Sequence, residues 1–308
     1  MLRIGMIGLG DIAQKVYLPL LSVEENWEFV GAFSPNEQKR IALCGRYRIK
    51  PYSSLKSLAK DIDAAFVHSS TETHFEVVAE LLRAGIHVYV DKPLAATLDE
   101  CEKLVELSNR HSAKLMVGFN RRFAPMYLEA LNQIDNYAWI RIEKHRADRI
   151  HKVDYRTTLL DDYIHLVDLV RWVSDRKPAL MNGTTSITTD NHLIFTNHTF
   201  KMESGQTVYA GMHRKAGSNL ELFEIVGMGG IVRVKNLETL EREQNGRVIH
   251  TISPSWDTIL KRRGFDAAVN HFIDSVLQGH EPLTNGEEAL KSQQLLMRLI
   301  RETPILKQ

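Results

Sequence analysis

The sequence predicts an α/β protein: an N-terminal doubly wound parallel sheet over residues 1–120, then a C-terminal α+β domain with a large, mostly antiparallel open sheet over residues 121–308. Three observations predict it. Apolar strand candidates alternate with helical segments from Met1 to about Phe119, the pattern of a parallel sheet with helices on both faces. The first strand runs directly into a glycine-rich turn and a helix. After Arg122 the texture changes to β-rich segments separated by turn dipeptides such as Asp190-Asn191, Gly229-Gly230 and Asn245-Gly246.

The opening strand is Leu2 to Ile7, and Gly8-Leu9-Gly10-Asp11-Ile12-Ala13 follows it. This spacing is that of a dinucleotide-binding turn of the Rossmann type. Gly8 makes the tight strand-to-helix turn, Gly10 lets a pyrophosphate approach the backbone, and Ala13 lets the helix pack on its strand. Asp11 and Ile12 open the helix whose N-terminus receives the phosphates. The second strand is Trp27 to Phe33, and about 20 residues past the turn an NAD-binding chain places Asp or Glu on the ribose. Here Ser34-Pro35-Asn36 stands instead, with Lys39 and Arg40 on the next helix. A carboxylate would repel a 2′-phosphate, whereas a hydroxyl beside cations holds one, so NADP is favoured over NAD.

Ala64 to His68 is the third strand, and helix Thr73 to Ala84 closes at Gly85, suited to a left-handed cap. His87 to Val90 and Lys114 to Phe119 complete the sheet. In the second domain the strand candidates are Tyr137 to His145, Leu180 to Thr188, Leu193 to Lys201, Thr207 to His213, Leu220 to Val226, Ile231 to Val234 and Val248 to Ile252. Two amphipathic helices end the chain. Phe265, Val269, Phe272, Ile273 and Val276 form the apolar stripe of one, and Thr284 with Glu287 resembles a capping box before the other.

Bulk composition narrows the function. Lys+Arg 39 against Asp+Glu 38 gives a net charge of +1, which speaks against nucleic acid or a membrane surface as partner. No stretch approaches the roughly 20 apolar residues of a membrane span, and the N-terminus is a strand with no signal-peptide pattern, so a cytoplasmic protein is expected. Cys44 and Cys101 lack any metal-ligand spacing and read as buried thiols, so no metal is expected.

Ligands of such sheets bind outside the carboxyl ends of the strands, which directs attention to residues just after them. Asp91-Lys92-Pro93 follows the strand His87 to Val90, where Pro93 stops the strand and aims Lys92. In the second domain, Asp161, Asp162, Tyr163, His165 and Asp168 head a long apolar helix, and spacing of three and four puts Asp161, His165 and Asp168 on one face. The segment Arg141 to Arg156 also carries Lys144, His145, Arg146, Arg149, His151 and Lys152. It can bind a phosphorylated or carboxylated sugar, although strand alternation sends about half of those charges to solvent.

Together with Arg121 and Arg122 after the last strand of the first sheet, these motifs resemble the glucose-fructose oxidoreductase, inositol dehydrogenase and MocA (Gfo/Idh/MocA) family, which binds nicotinamide cofactors. The resemblance covers nearly the whole chain: the Gly8 turn, Ser69 to His74, Asp91-Lys92-Pro93, Gly118-Phe119-Asn120-Arg121-Arg122-Phe123, and Asp161 with His165. Within the family it is closest to the bacterial branch called virulence factor MviM-like, a label that names no reaction. The resemblance implies that Lys92, Asp161 and His165 are catalytic, and that Ser69, Ser70, Thr71, His74, Asp91, Lys92, Pro93, Asn120 and Arg121 join the turn and Ser34, Asn36, Lys39 and Arg40 in binding the cofactor. Arg122, Tyr163, Asp161 and His165 are expected at the substrate. Three departures stand out: Asp91 replaces the family's usual Glu, Ser70-Thr71 the commoner Pro-Asn, and Tyr163 a frequent Gly.

The expected reaction is hydride transfer between NADP, or NAD, and a hydroxyl or carbonyl carbon of a sugar, polyol or related molecule. Histidine exchanges protons near neutral pH, which suits His165 as the base. Lys92 would stabilise the developing alkoxide, and either Asp161 or Asp168 would orient the imidazole. The alternative is a catalytically silent NAD(P)-sensing regulator or partner-binding protein on the same fold. Such a protein would be expected to lack part of the lysine, aspartate and histidine set, and this chain has all three. A homodimer or homotetramer through the C-terminal sheet is also expected.

Overall fold

The structure is a computed structural model that describes residues 1–23, 25–174 and 178–308. It comprises two compact units, Met1–Phe119 with Asp266–Lys291, and Asn120–Phe265 with Ser292–Gln308. The segment 266–291, expected in the second domain, therefore groups with the first. An apolar stripe shows that a helix is buried but not against which sheet. Here Phe272 packs edge-on against Phe66 at 5.5 Å and Tyr89 at 5.7 Å.

The first unit holds β1 (Leu2–Ile7), β2 (Trp27–Phe33), β3 (Lys50–Tyr52), β4 (Ala64–Val67), β5 (His87–Val90) and β6 (Leu115–Val117), all parallel, in the order β3-β2-β1-β4-β5-β6. That order reverses between β1 and β4, which is the switch point where a doubly wound sheet opens a crevice. Every residue of β4 is buried, as a strand covered on both faces requires. The sequence reading missed β3, which is short and carries Pro51 at the sheet edge, where a missing N–H is tolerated. The helix expected at Thr73 to Ala84 spans Thr71–Arg83, and Gly85 takes φ 73°. The last helix, Gly286–Glu302, is capped otherwise than expected: Asn285 Oδ1 accepts from Glu288 N at 3.0 Å, and Thr284 Oγ1 donates to Val117 O at 2.7 Å.

The second unit holds β7 (Tyr137–His145), β8 (Ala179–Ile187), β9 (Leu193–Lys201), β10 (Thr207–His213), β11 (Leu220–Gly227), β12 (Gly230–Lys235), β13 (Thr239–Gln244), β14 (Arg247–Ile252) and β15 (Ile305–Lys307). They form one nine-stranded sheet, β14-β13-β12-β11-β7-β10-β9-β8-β15, antiparallel except for β7 with β10 and β8 with β15. Missed here were β13, whose alternating charges read as a loop, and the three-residue β15. Ile140, Ile142, Val208, Ala210, Phe223 and Ile225 bury one face of the sheet, the face packed under helix Ile164–Val173. The opposite face carries partly exposed ion pairs such as Arg141 with Glu224 at 3.3 Å and Arg233 with Glu241 at 2.7 Å. Cys44 and Cys101 are free and buried. Among the described residues no helix is long and apolar enough to cross a membrane, and no group of three or more His, Cys, Asp or Glu forms a metal cluster.

Candidate active site

In the first unit the glycine turn lies at the switch point. Gly8 N donates to Phe33 O at 2.9 Å with φ 88°, and a Cβ there would stand 2.5 Å from Ser69 N. Gly10 meets nothing closer than His68 O at 3.9 Å. The first glycine thus lets two chain segments touch, and the second leaves open space above the helix start. Gln14 fastens the turn, its amide donating to Leu9 O at 3.0 Å and Gly10 O at 3.2 Å. Ala13 is fully buried, Ile12 is half-buried, and Asp11 is exposed beside Lys15 at 3.1 Å.

The helix then takes a π turn, with Leu18 N bonded to Ala13 O, and Tyr17 comes to lie in the core. Its ring stacks on the His68 imidazole at 3.7 Å, and its hydroxyl meets that of Tyr89 at 3.2 Å. Burial pushes His68 well below the ordinary histidine range and Tyr17 well above the usual phenol range. This neutral aromatic floor was not foreseen. Its partners are far apart in sequence, and no motif joins them.

At the end of β2, Ser34 is buried and its carbonyl accepts from Arg40 Nη1 at 2.7 Å. Arg40 is itself buried, whereas Lys39 is exposed and Asn36 caps the helix by accepting from Lys39 N at 2.9 Å. After β4, the imidazole of His74 is 1% exposed and sits between Pro93 O at 2.9 Å and Ser69 O at 3.1 Å. Expected to touch the cofactor, His74 instead ties together the two loops that carry Ser69, Ser70, Thr71 and Asp91-Lys92-Pro93. Asp91 Oδ1 accepts from Lys92 N at 2.9 Å, which orients the start of that loop.

Do these residues fit a dinucleotide? Two buried polar atoms at the rim, Ser69 Oγ and Arg40 Nε, have no hydrogen-bond partner among the described residues. The space at Gly10 is the approach a pyrophosphate needs. Orphaned donors beside an open backbone turn fit a phosphate-bearing group.

The second unit contributes the segment Leu159–His165. A π turn, Ile164 N to Leu159 O, lies within it, so the three- and four-residue spacing of an α-helix does not hold there. Asp161 is exposed, while His165 and Asp168 are buried. His165 and Asp168, three apart within helix Ile164–Val173, share a face as expected. Asp168 receives a bidentate bond from Arg122, Nε at 2.7 Å and Nη2 at 2.5 Å, and a further bond from Ser292 Oγ at 2.9 Å. Arg122 is thereby taken up by an internal ion pair that leaves 3% of its side chain exposed, in place of the expected substrate contact.

Three more expectations change within this unit. Tyr163, expected at the substrate, is wholly buried, with its hydroxyl 2.8 Å from His198 Nδ1 and 3.1 Å from Ala210 O. Arg121, expected at the cofactor, is bidentate on Glu221 at 3.0 and 2.9 Å. Asn120 donates from its amide to Arg263 O at 2.7 Å. In each case a buried polar group has found a protein partner, which burial demands.

Sequence reasoning passed over Asp162, which is the hub of the segment. Lys144 Nζ contacts Asp162 Oδ1, Arg214 Nη1 lies 2.5 Å from Oδ2, and Arg146 Nη2 lies 3.7 Å away. Although burial opposes it, Lys144 and Arg146 hold the Asp162 carboxyl far below the usual carboxylate range. Burial conversely pushes Lys144 below the ordinary lysine range. Alternation along β7 could have singled out Lys144, but nothing in the sequence links Arg214 to Asp162. The basic segment is divided accordingly. Lys144 and Arg146 turn inward, Arg141 turns to the opposite face, and Arg149, Lys152 and Arg156 are exposed.

Comparison with known proteins follows the same division. A family model described as oxidoreductase family, NAD-binding Rossmann fold (GFO_IDH_MocA), matches residues 2–119, and a model of the YceM-like C-terminal domain matches residues 125–245. The chain is 42% identical to YceM of Salmonella typhimurium LT2, over 98% of both chains. It resembles the crystal structure of a dehydrogenase, MviM, from Clostridium difficile, with a TM-score of 0.96 and 46% identity over 98% of this chain and 99% of that one. It is 27% identical to an inositol 2-dehydrogenase of Acidothermus cellulolyticus, over 90% of this chain and 85% of that protein.

Proposed function

The chain belongs to the Gfo/Idh/MocA oxidoreductase family, and from that premise we propose that it is a nicotinamide-dependent dehydrogenase or reductase acting between an alcohol carbon and its carbonyl in a sugar, polyol or related small molecule. The observation that carries the reading is the glycine turn at the switch point, with open space at Gly10 and the orphaned hydroxyl of Ser69 beside it. The likeness to an inositol 2-dehydrogenase supports the alcohol chemistry.

When bound, the nicotinamide supplies or accepts a hydride. Gly8, its own N–H held by Phe33 O, makes the turn, and Gly10, Asp11 and Ile12 offer the pyrophosphate their backbone N–H groups. Ser34, Asn36, Lys39 and Arg40 receive the adenosine ribose, and the cations among them favour NADP over NAD. Ser69, Ser70, Thr71 and Asp91 hold the remaining ribose and the nicotinamide, with His74 positioning both loops. Lys92, as a cation, stabilises negative charge on the substrate oxygen. His165 removes the hydroxyl proton at a ring nitrogen during oxidation and returns it during reduction. Asp161, exposed on its own segment, engages a substrate hydroxyl.

The test is kinetic. Lys92→Ala and His165→Ala should each lower turnover by about 10² or more while NADPH affinity barely changes. Undiminished turnover in both would refute the assignment. Wild-type protein that binds NADPH tightly yet oxidises it with no carbonyl in a broad screen would be a sensor. Self-association through the exposed face of the second sheet belongs to the same proposal, and sedimentation of the purified protein tests it.

A further inference from the structure

One end of the second unit's sheet gathers more positive charge than its carboxylates can neutralise. Alternation sends Lys144 of β7 to the buried face, and Arg146 follows two residues later. Register places Met212 of β10 on one side of Lys144 and Glu221 of β11 on the other, and Arg214 comes two residues after Met212. Lys144, Arg146 and Arg214 all rest on Asp162, and Arg121 rests on Glu221.

A fifth cation, Arg263, is brought in by the backbone. Gly264 takes φ 77° and passes so close to residues 120–124 that a Cβ would overlap the Asn120 carbonyl. Asn120 completes the fastening by donating to Arg263 O at 2.7 Å. Arg263 is thereby held half-buried, and burial together with the charges of Arg121 and Arg146 pushes its guanidinium below the ordinary arginine range. That guanidinium makes no hydrogen bond or ion pair among the described residues. The buried Nε of Arg146 has no hydrogen-bond partner among them either.

Among the described residues, five cations therefore share two carboxylates, the partly buried Asp162 and the buried Glu221. The other acids close by are Asp161, which is exposed, and Glu238, which is paired with Arg262 at 3.1 Å. Half-burying a guanidinium among like charges is costly unless a counter-ion arrives. We propose that Arg146 and Arg263, backed by Lys144, Arg121 and Arg214, bind an anionic group of the substrate, a phosphate or a carboxylate. The proposal rests on the dehydrogenase reading and specifies its substrate class. His165 lies three residues beyond Asp162 and near enough to act on its charge, so the anion is bound beside the candidate base.

Calorimetric titration of the NADPH-saturated protein at fixed ionic strength tests this, with inorganic phosphate as one probe and gluconate as the other. Prior saturation with NADPH keeps phosphate from reporting on the cofactor site. Saturable binding is expected, weakened about tenfold in Arg263→Gln and further in the double variant with Arg146→Gln. Arg263→Lys should keep most of the affinity, and Arg156→Gln, at an exposed pair with Asp154, should keep all of it. Unchanged circular dichroism and NADPH affinity show that the variants fold. Preference for phosphate or for gluconate names the source of the anion, and either supports the site. No saturable binding of either probe, or undiminished affinity in the double variant, overturns it. A wild-type protein that binds neither NADPH nor NADH overturns the dehydrogenase reading instead, and the anion titration is then read on the unsaturated protein.

Discussion

The two units present unlike materials at their candidate residues. In the first, the turn at Gly8 and Gly10 is backbone, with an aromatic and electrically neutral floor of Tyr17 and His68 behind it. In the second, the segment Leu159–His165 lies over buried charge, with Asp162 paired to three cations. Each unit contains a π turn at this point, and each uses it to send a tyrosine, Tyr17 or Tyr163, into the core. The contrast teaches what kind of ligand chemistry each unit is built for. Backbone amides and missing Cβ atoms suit a pyrophosphate, whereas a cluster of cations suits an anionic group.

The largest expected effect lies on the charged side. Asp162→Ala leaves Lys144, Arg146 and Arg214 without their carboxylate, at a cost of about 3 kcal/mol, seen as a lower midpoint in urea unfolding. A variant as stable as the wild type would break the contrast, because the charges would then be solvated and not held. On the backbone side, Gly8→Ala must place a Cβ 2.5 Å from Ser69 N at a positive φ, and should cost roughly 1–3 kcal/mol together with cofactor binding. Gly10→Ala sharpens the point: its nearest neighbour is 3.9 Å away, so stability should hold while NADPH affinity falls. Equal destabilisation by both substitutions would contradict the separate roles of the two glycines.

Arg40→Ala should move the NADP-to-NAD ratio of kcat/KM toward NAD by about tenfold, since one charged hydrogen-bond donor to a 2′-phosphate is lost. An unchanged ratio would assign the selection to Ser34 and Lys39. The smallest effect is on pH. Burial lowers His198 from 6.5 to about 4, and Arg121 with Lys144 lowers Glu221 from 4.5 to about 2 despite its burial. Both folded values lie below the unfolded ones, so each contribution is full above the unfolded value and is lost as pH falls through the folded one. Tm should therefore decline first between about pH 6.5 and 4 and again toward 2, and Glu221→Gln should flatten only the lower decline. His68 in the first unit acts in the same direction as His198, so His198→Gln is needed to separate their shares.

Much of the fold was legible. Strands β1, β2, β5, β7, β9 and β10 have the expected ends, because long apolar or alternating runs bounded by turn residues leave little choice of period. The glycine turn was legible for a stronger reason, since glycine identity itself records where no Cβ fits. What escaped were β3, β13 and β15, whose residues are short, proline-bearing or charged and become strands only because a neighbour offers its edge.

By itself, then, the sequence determined the doubly wound sheet, the cofactor turn, the family, and the presence of Lys92, Asp161 and His165, all of which depend on local spacing or motif. Tertiary structure alone decided the partners of the buried polar groups. Arg122 went to Asp168, Arg121 to Glu221, Tyr163 to His198, and Asp162 became the seat of three cations. The physical reason is that a buried charge takes whichever partner sheet register and helix phase set beside it. One π turn is enough to change that phase, and no spacing along the chain records it.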